Sequence, residues 1–205
     1  MSLRLVDHPL ARDLLGRLRD ESCGTTEFRQ YAEQLSMLVV LEATRDLRAS
    51  TREIRTPLES ASVEVISERL VCIAVLRAGL GMTISFQKLF PDAAIGHIGL
   101  RRNEETAEAS CYYLQLPDCA GARVLLLDPM LATGGSASSA VELVQSKSPD
   151  RISLLTFVAS PEGVAHMESH FPRVEIFAVA VDRELDSKKY IRPGLGDFGD
   201  RLFAT

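Results

Sequence analysis

The sequence predicts an α/β fold in which a central parallel sheet is flanked by helices. Short apolar runs alternate along the chain with stretches whose apolar residues recur at helical spacing, the pattern of right-handed strand–helix–strand crossovers. Two runs, Leu70–Leu76 and Val124–Leu127, are apolar at every position, as in strands buried on both faces. Each is followed by a turn containing glycine, Arg77-Ala78-Gly79 in one case and Thr133-Gly134-Gly135-Ser136 in the other, and then by a helix-like segment.

The elements follow in order. After Pro9 comes a short amphipathic helix with Leu10, Leu14, Leu15 and Leu18 on one face. A longer helix is capped by Thr25 or Thr26, with Glu27 favourably placed in its first turn. Its apolar stripe is Phe28, Tyr31, Leu35, Leu38 and Val39, and Glu42 and Arg45 form an i,i+3 ion pair near its end. Ile54–Pro57 and Ser62–Ile66 read as short strands, the first blunted by Pro57. The buried strand Leu70–Leu76 precedes a helix, Leu80–Phe90, and a strand, Ala94–Leu100. Asn103–Ala109 is polar and Cys111–Leu116 is strand-like, so the segment reads as a protruding hairpin. Three further units complete the sheet: strand 124–127 with helix 136–146, strand 152–159 with helix 162–170, and strand 174–181. No repeat, linker or low-complexity segment interrupts the 205 residues, which are read as one domain, 1–205.

Composition narrows the class. Hydrophobic residues make up 46% and charged residues 25%, as in an ordinary globular chain with a sizeable core. The 23 Lys and Arg against 28 Asp and Glu leave a net charge of −5 without a basic block, which argues against a nucleic-acid or membrane partner. Cys23, Cys72, Cys111 and Cys119 have no metal-ligand spacing, and Cys72 sits within an apolar strand. No leader or long apolar span is visible, so the expected location is a reducing cytoplasm.

The chemistry concentrates in Arg123–Ser136, RVLLLDPMLATGGS. A strand ends in an acid, Asp128, and a loop of small residues opens a helix. Unpaired first-turn N–H groups, the helix dipole and glycines that admit close backbone approach together make a phosphate cradle. Asp128 stands where it could hold sugar hydroxyls beside that phosphate, so the expected ligand is a sugar phosphate. The loop lacks the Gly-Lys-Ser/Thr of a P-loop and the GxGxxG of a dinucleotide fold. Arg77-Ala78-Gly79 lies at the carboxyl end of a neighbouring strand, where Arg77 can take a diphosphate in bidentate fashion. The tail contains GxGxxG literally, in Gly194-Leu195-Gly196-Asp197-Phe198-Gly199, but too few residues follow for a dinucleotide site. A loop with Pro193 and three glycines suits presentation of bare main chain to a flat ligand instead. His8, His97, His166 and His170 form no cluster by spacing and read as structural or surface residues.

These motifs resemble the type I phosphoribosyltransferases. Val75–Met82, Gly96–Leu100, Ser160–Val164 and Tyr190–Phe203, with Asp7–Leu10 and Thr44–Leu47, resemble the uracil phosphoribosyltransferase family nearly end to end. The resemblance implies the type I phosphoribosyltransferase fold, with a hairpin arm at about 97–117 and a base-binding hood at about 182–205. It implies conversion of uracil and 5-phosphoribosyl 1-diphosphate to UMP and diphosphate, with Mg²⁺ held on the substrate's diphosphate and no metal ligands from the protein. It assigns catalytic roles to Arg77, Asp128 and Asp197. The phosphoribosyl diphosphate site is then Arg77, Arg102, Asp128, Pro129, Met130, Leu131, Ala132, Thr133, Gly134, Gly135, Ser136 and Asp197. The uracil site is Ile191, Gly196, Asp197 and Phe198, with backbone groups of Ile191, Gly196 and Phe198 reading O2, N3–H and O4. It further implies a homodimer or higher homo-oligomer. The alternatives on the same fold are a pyrimidine-sensing RNA-binding regulator and a transferase for another base. Arg101 stands in place of a common aromatic, Arg192 in place of an aliphatic residue and Phe198 in place of alanine. The last two bear on the size of the base site, where large 5-substituents are expected to meet Phe198.

Overall fold

A computed structural model describes residues 3–102 and 109–205. In chain order the elements are β1 (Leu3–Leu5), α1 (Pro9–Arg19), α2 (Thr25–Ala43), β2 (Ala49–Arg55), β3 (Ser60–Ile66), β4 (Leu70–Leu76), α3 (Leu80–Leu89), β5 (Ala94–Arg102), β6 (Ala109–Gln115), β7 (Arg123–Leu127) and β8 (Met130–Leu131). They continue as α4 (Gly135–Gln145), β9 (Arg151–Ala159), α5 (Pro161–His170), β10 (Glu175–Val181), β11 (Glu184–Leu185), β12 (Ile191–Arg192) and α6 (Phe198–Phe203).

The main sheet runs β1-β10-β9-β7-β4-β5-β6, parallel throughout except for β6, which returns antiparallel to β5 at the edge. β8 extends the sheet by pairing with the end of β9. The chain leaves β4 toward β5 and comes back to lay β7 on the other flank of β4. Strand order therefore reverses between β4 and β7, and open α/β sheets bind ligands outside the carboxyl ends of the strands at such a point.

Alternation along the central strands divides the core. Cys72 of β4 and Leu125 and Leu127 of β7 pack toward α1, α2, α3 and α6. Val71, Ile73, Val124 and Leu126 face α4 and α5. Full burial of Cys72 raises its thiol pKa by desolvation, leaving it a small inert hydrophobe.

Local structure departs from the sequence expectations at identifiable places. In α1, Ala11 joins Leu14, Leu15 and Leu18 on the buried face, while Leu10 is 46% exposed. Neither Thr25 nor Thr26 caps α2. Gly24 does, and Thr25 is already helical. The Glu42–Arg45 pair forms at 2.7 Å. β2 runs from Ala49 to Arg55 and pairs with β3 as a separate antiparallel ribbon, so Pro57 falls in the turn and not in the strand. The tail is more ordered than a loop. β11 and β12 pair, and Asp197 caps α6 by accepting the Asp200 N–H at 2.9 Å.

The hairpin expected at 97–117 is the β5–β6 pair. β5 pairs with β4 only as far as Gly99, so the rest of β5 and the start of β6 run beyond that neighbour. The polar tip, 103–108, lies outside the described residues, as does the side chain of Arg102. Among the described residues no helix is long and apolar enough to cross a membrane.

Candidate active site

The carboxyl ends of β4 and β7 frame a cavity of about 220 Å³ at the switch point. Asp128, Met130, Leu131, Ala132, Thr133, Gly134, Gly135 and Ser136 line it from the β7 side, and Val75, Leu76 and Ala78 from the β4 side. The first turn of α4 opens onto this space. Gly134, the cap of α4, has φ +86°, a left-handed conformation that disfavours any residue with a β-carbon. Gly135 follows with only the Thr133 hydroxyl near its missing side chain, at 3.7 Å from where a β-carbon would sit. Its bare Cα therefore leaves room for a ligand.

Asp128 is half-buried and, among the described residues, accepts only a long bond, 3.4 Å, from the Met130 N–H. Pro129 next to it has no N–H to offer. Desolvation pushes the Asp128 carboxyl up to about 7, against a small opposing effect of the Met130 amide. A carboxylate so poorly satisfied by protein is primed to accept hydrogen bonds from ligand hydroxyls. Pro129 itself does not line the cavity. Its carbonyl accepts the N–H groups of Phe157 and Val158 at 3.0 and 3.2 Å, tying the loop to β9.

A second cavity of about 820 Å³ adjoins the first, sharing Ala78, Met130 and Ala132 as a common wall. Ile191, Gly196, Asp197 and Phe198 of the tail line it, together with Ser187, Lys188, Lys189 and Tyr190. All four residues expected to meet the base thus come together. Phe198 lines the cavity, but it is 2% exposed and its ring packs on Phe28 and Phe157, with centroids 5.1 and 5.6 Å away, so most of its bulk lies in the core. Arg192 is not among the lining residues, and its guanidinium pairs with Asp186 at 2.5 Å. Asp186 also accepts the N–H groups of Lys188 and Tyr190 at 2.9 and 3.0 Å. It organises the 186–190 loop, a contribution that sequence reasoning missed although the Asx-turn signal was present.

Arg77 lines neither cavity. Its peptide bond to Leu76 is cis, its Nη2 lies 3.0 Å from Asp200 Oδ1, and its guanidinium sits 5.8 Å from the centre of the Phe203 ring. The pair is half-exposed on both sides, so it is weak and can be exchanged for a ligand anion. The glycine of this motif serves packing. A β-carbon at Gly79 would overlap the carbonyl oxygen of Leu127, so the turn after β4 meets the end of β7 closely there. Among the described residues no group of three or more His, Cys, Asp or Glu side chains could hold a metal ion.

Comparison with known proteins gives a consistent family. The family model described as uracil phosphoribosyltransferase matches residues 5–205. A uracil phosphoribosyltransferase from Malacoplasma penetrans is 44% identical over 202 residues, covering 98% of each chain. The solved structure of the AQ2163 protein from Aquifex aeolicus superposes with a TM-score of 0.96 at 36% identity, over 99% of this chain and 98% of that one. A purine phosphoribosyltransferase from Pyrococcus horikoshii, 15% identical, shares the fold with a TM-score of 0.51 over 73% of this chain and 83% of its own.

Proposed function

The chain belongs to the uracil phosphoribosyltransferase family, and from that premise we propose how its two adjoining cavities divide the transfer of a phosphoribosyl group to uracil. The smaller cavity takes the phosphoribosyl diphosphate and the larger one takes the base. The observation that carries this division is the wall shared by both, Ala78, Met130 and Ala132. A sugar seated on one side of it can present its anomeric carbon to a flat base on the other.

In this reading the first-turn N–H groups of α4, with Thr133 and Ser136, hold the 5-phosphate, and the helix dipole adds to the attraction. Asp128 accepts hydrogen bonds from the ribose hydroxyls, which replace the water it lost on burial. Arg77 leaves Asp200 for the diphosphate, with Arg102 as its second partner. Magnesium would be held mainly by the substrate's own oxygens, because it favours phosphate and water and Asp128 is a single carboxylate rather than a cage. Bound there, the ion would supply positive charge to the diphosphate, beside Arg77 and Arg102. Uracil N1 forms the new bond to the anomeric carbon while the bond to the diphosphate oxygen breaks. The chain's contribution is orientation and charge neutralisation, with no covalent nucleophile. Asp197 stands at the edge of the base cavity, next to the reacting sugar. The reading extends to a single domain acting as a homo-oligomer in a reducing cytoplasm; four free cysteines and a net charge of −5 accord with small-molecule work there.

The test is diphosphate release from phosphoribosyl diphosphate, with and without Mg²⁺, driven by uracil or by cytosine. Main chain that reads acceptor, donor, acceptor meets an amino group and an unprotonated nitrogen in cytosine. Two mispaired contacts in a site built to hydrogen-bond its ligand predict discrimination of roughly 10⁴-fold in kcat/KM. Comparable values for the two bases would overturn backbone readout, and absence of uracil-dependent release would overturn the division of the cavities.

A further inference from the structure

The loop over the smaller cavity is held from behind by α5, a helix to which the catalytic reading gives no part. Ser160, the cap of α5, donates its hydroxyl to the Ala132 carbonyl at 2.6 Å and accepts the Gly163 N–H at 2.9 Å. Its own N–H reaches the Leu131 carbonyl at 2.9 Å. A β-carbon at Gly163 would overlap the Ala132 oxygen, so the helix starts directly against the loop. One turn further, His166 meets the same segment at its most demanding point. A β-carbon on Gly134 would lie 2.7 Å from the imidazole Cδ2. The ring Nε2 is 2.9 Å from the Ser138 hydroxyl in the first turn of α4, and the ring stacks on His170 with centroids 4.3 Å apart. Ser138 is tied again through its N–H to the Gly134 carbonyl at 2.8 Å. One half-buried side chain thus touches both the left-handed residue that turns the chain and the helix that the turn begins.

We propose that His166 is a positioning residue for the 5-phosphate subsite. Packed on Gly134 and bonded to Ser138, it holds the turn so that the first-turn amides of α4 keep one aim. Donors fixed before the anion arrives need no reorganisation when it binds, and loss of that order weakens binding without removing any contact to the ligand. The inference rests on the assignment of the 5-phosphate to this loop, and it predicts a split between the two ends of the substrate. The diphosphate end, served from the β4 side, is unaffected.

Calorimetric titration of ribose 5-phosphate and of inorganic diphosphate, each alone, tests this in His166→Ala, His166→Gln and Ser138→Ala, with each variant's melting temperature recorded. His166→Ala is expected to weaken ribose 5-phosphate roughly five- to tenfold, the worth of about one hydrogen bond, and to leave diphosphate within about twofold. His166→Gln, whose amide nitrogen can reach Ser138, restores most of the affinity. Ser138→Ala added to His166→Ala costs little more, because the two act as one unit. Equal weakening of both ligands would mark general loosening and overturn the proposal, as would unchanged ribose 5-phosphate affinity in His166→Ala. Gly135→Val separates the underlying assignment, since Gly135 lines the cavity and a β-carbon there would meet nothing closer than the Thr133 hydroxyl at 3.7 Å. If that variant binds ribose 5-phosphate normally, the phosphate is not in this loop and the proposal falls with it. If it does not, a silent His166→Ala overturns the positioning role alone.

Discussion

Asp128 combines a functional demand with a cost to the fold. Its folded pKa, about 7, lies above the ordinary carboxylate value of 3.8, so between those values the folded state binds more protons than the unfolded state. Stability from this residue therefore falls as pH rises from about 4 to 7, and above 7 the penalty is complete. Asp128→Asn removes the charge while keeping the shape. It is expected to melt higher than the parent protein at pH 8, by an amount on the order of a few kcal/mol, and to converge with it near pH 4. Its turnover should fall sharply, because the amide replaces one of the carboxylate's two accepting oxygens with a donating NH₂. Melting curves across that pH range, with activity at pH 8, check both halves, and equal melting at pH 8 would show that the carboxylate is better solvated than its surroundings imply. The acid itself was legible in the sequence as the residue ending an apolar strand before a glycine loop. Its burial was not, since that depends on tertiary packing at the carboxyl end of the sheet. Arg77 was legible as a strand-end arginine, but its resting partner, Asp200, lies 123 residues away and no local pattern signals it.

At the scale of elements, the sequence disclosed the strands and helices of the sheet because burial on both faces leaves a continuous apolar run and crossover helices keep a regular stripe. It was poorer where backbone alone decides. Glycine in a turn has several uses that sequence cannot separate, and three are separated here. Gly134 supplies a left-handed φ, Gly135 leaves the cavity open, and Gly79 and Gly163 admit a neighbouring carbonyl. The consequences differ. Gly79→Ala and Gly163→Ala force a methyl into backbone that cannot yield cheaply, and each is expected to destabilise by about 1–3 kcal/mol. Gly135→Ala meets nothing closer than the Thr133 hydroxyl and improves helix propensity, so stability should hold or rise while phosphate binding weakens. Denaturant unfolding of the three variants beside ribose 5-phosphate titration distinguishes the classes, and a destabilised Gly135→Ala would contradict the assignment. The same limit explains α6, whose six residues are too few to display a period, although the Asp197 cap was there to be read.

Across the whole molecule, the larger cavity is lined by the tail, and the tail is anchored by the first fifth of the chain. Arg19, the last residue of α1, pairs with Asp182 through both carboxylate oxygens at 2.6 and 2.7 Å and donates to the Gly194 carbonyl at 2.6 Å. Asp182, 8% exposed, also accepts the Gly194 N–H at 2.8 Å. Arg29 of α2 donates to the Leu202 carbonyl at 2.7 Å. Arg201 returns the connection, donating to carbonyls of Leu18 and Asp20 while its guanidinium covers the Phe28 ring at 4.4 Å. Helices α1 and α2 thus hold the Gly194–Phe198 main chain, to which the proposed reading assigns recognition of the base. A second ionic cluster holds the opposite end of the sheet. Fully buried Arg123 pairs there with Asp46 at 2.8 Å, and Asp46 also takes Arg151. Burial raises the Asp46 pKa, but its hydrogen bonds and attraction to the two arginines outweigh that and hold it at about 2. The two clusters differ in position, since the Asp182 cluster holds Gly194, two residues before the cavity-lining Gly196. Arg19→Met leaves the Asp182 carboxylate buried with one N–H partner, an arrangement expected to cost about 3–5 kcal/mol. Replacing both, Arg19→Met with Asp182→Asn, removes the stranded charge and should recover most of the melting temperature. Recovery of stability should not recover function, because the Gly194 carbonyl still lacks its donor and the turn is freed. The double variant is therefore expected to fold yet show a raised KM for uracil with the KM for phosphoribosyl diphosphate little changed. Parallel rises in both constants would mean that the tail and the phosphate loop move together, and that the N-terminal helices anchor the whole site and not the base cavity alone.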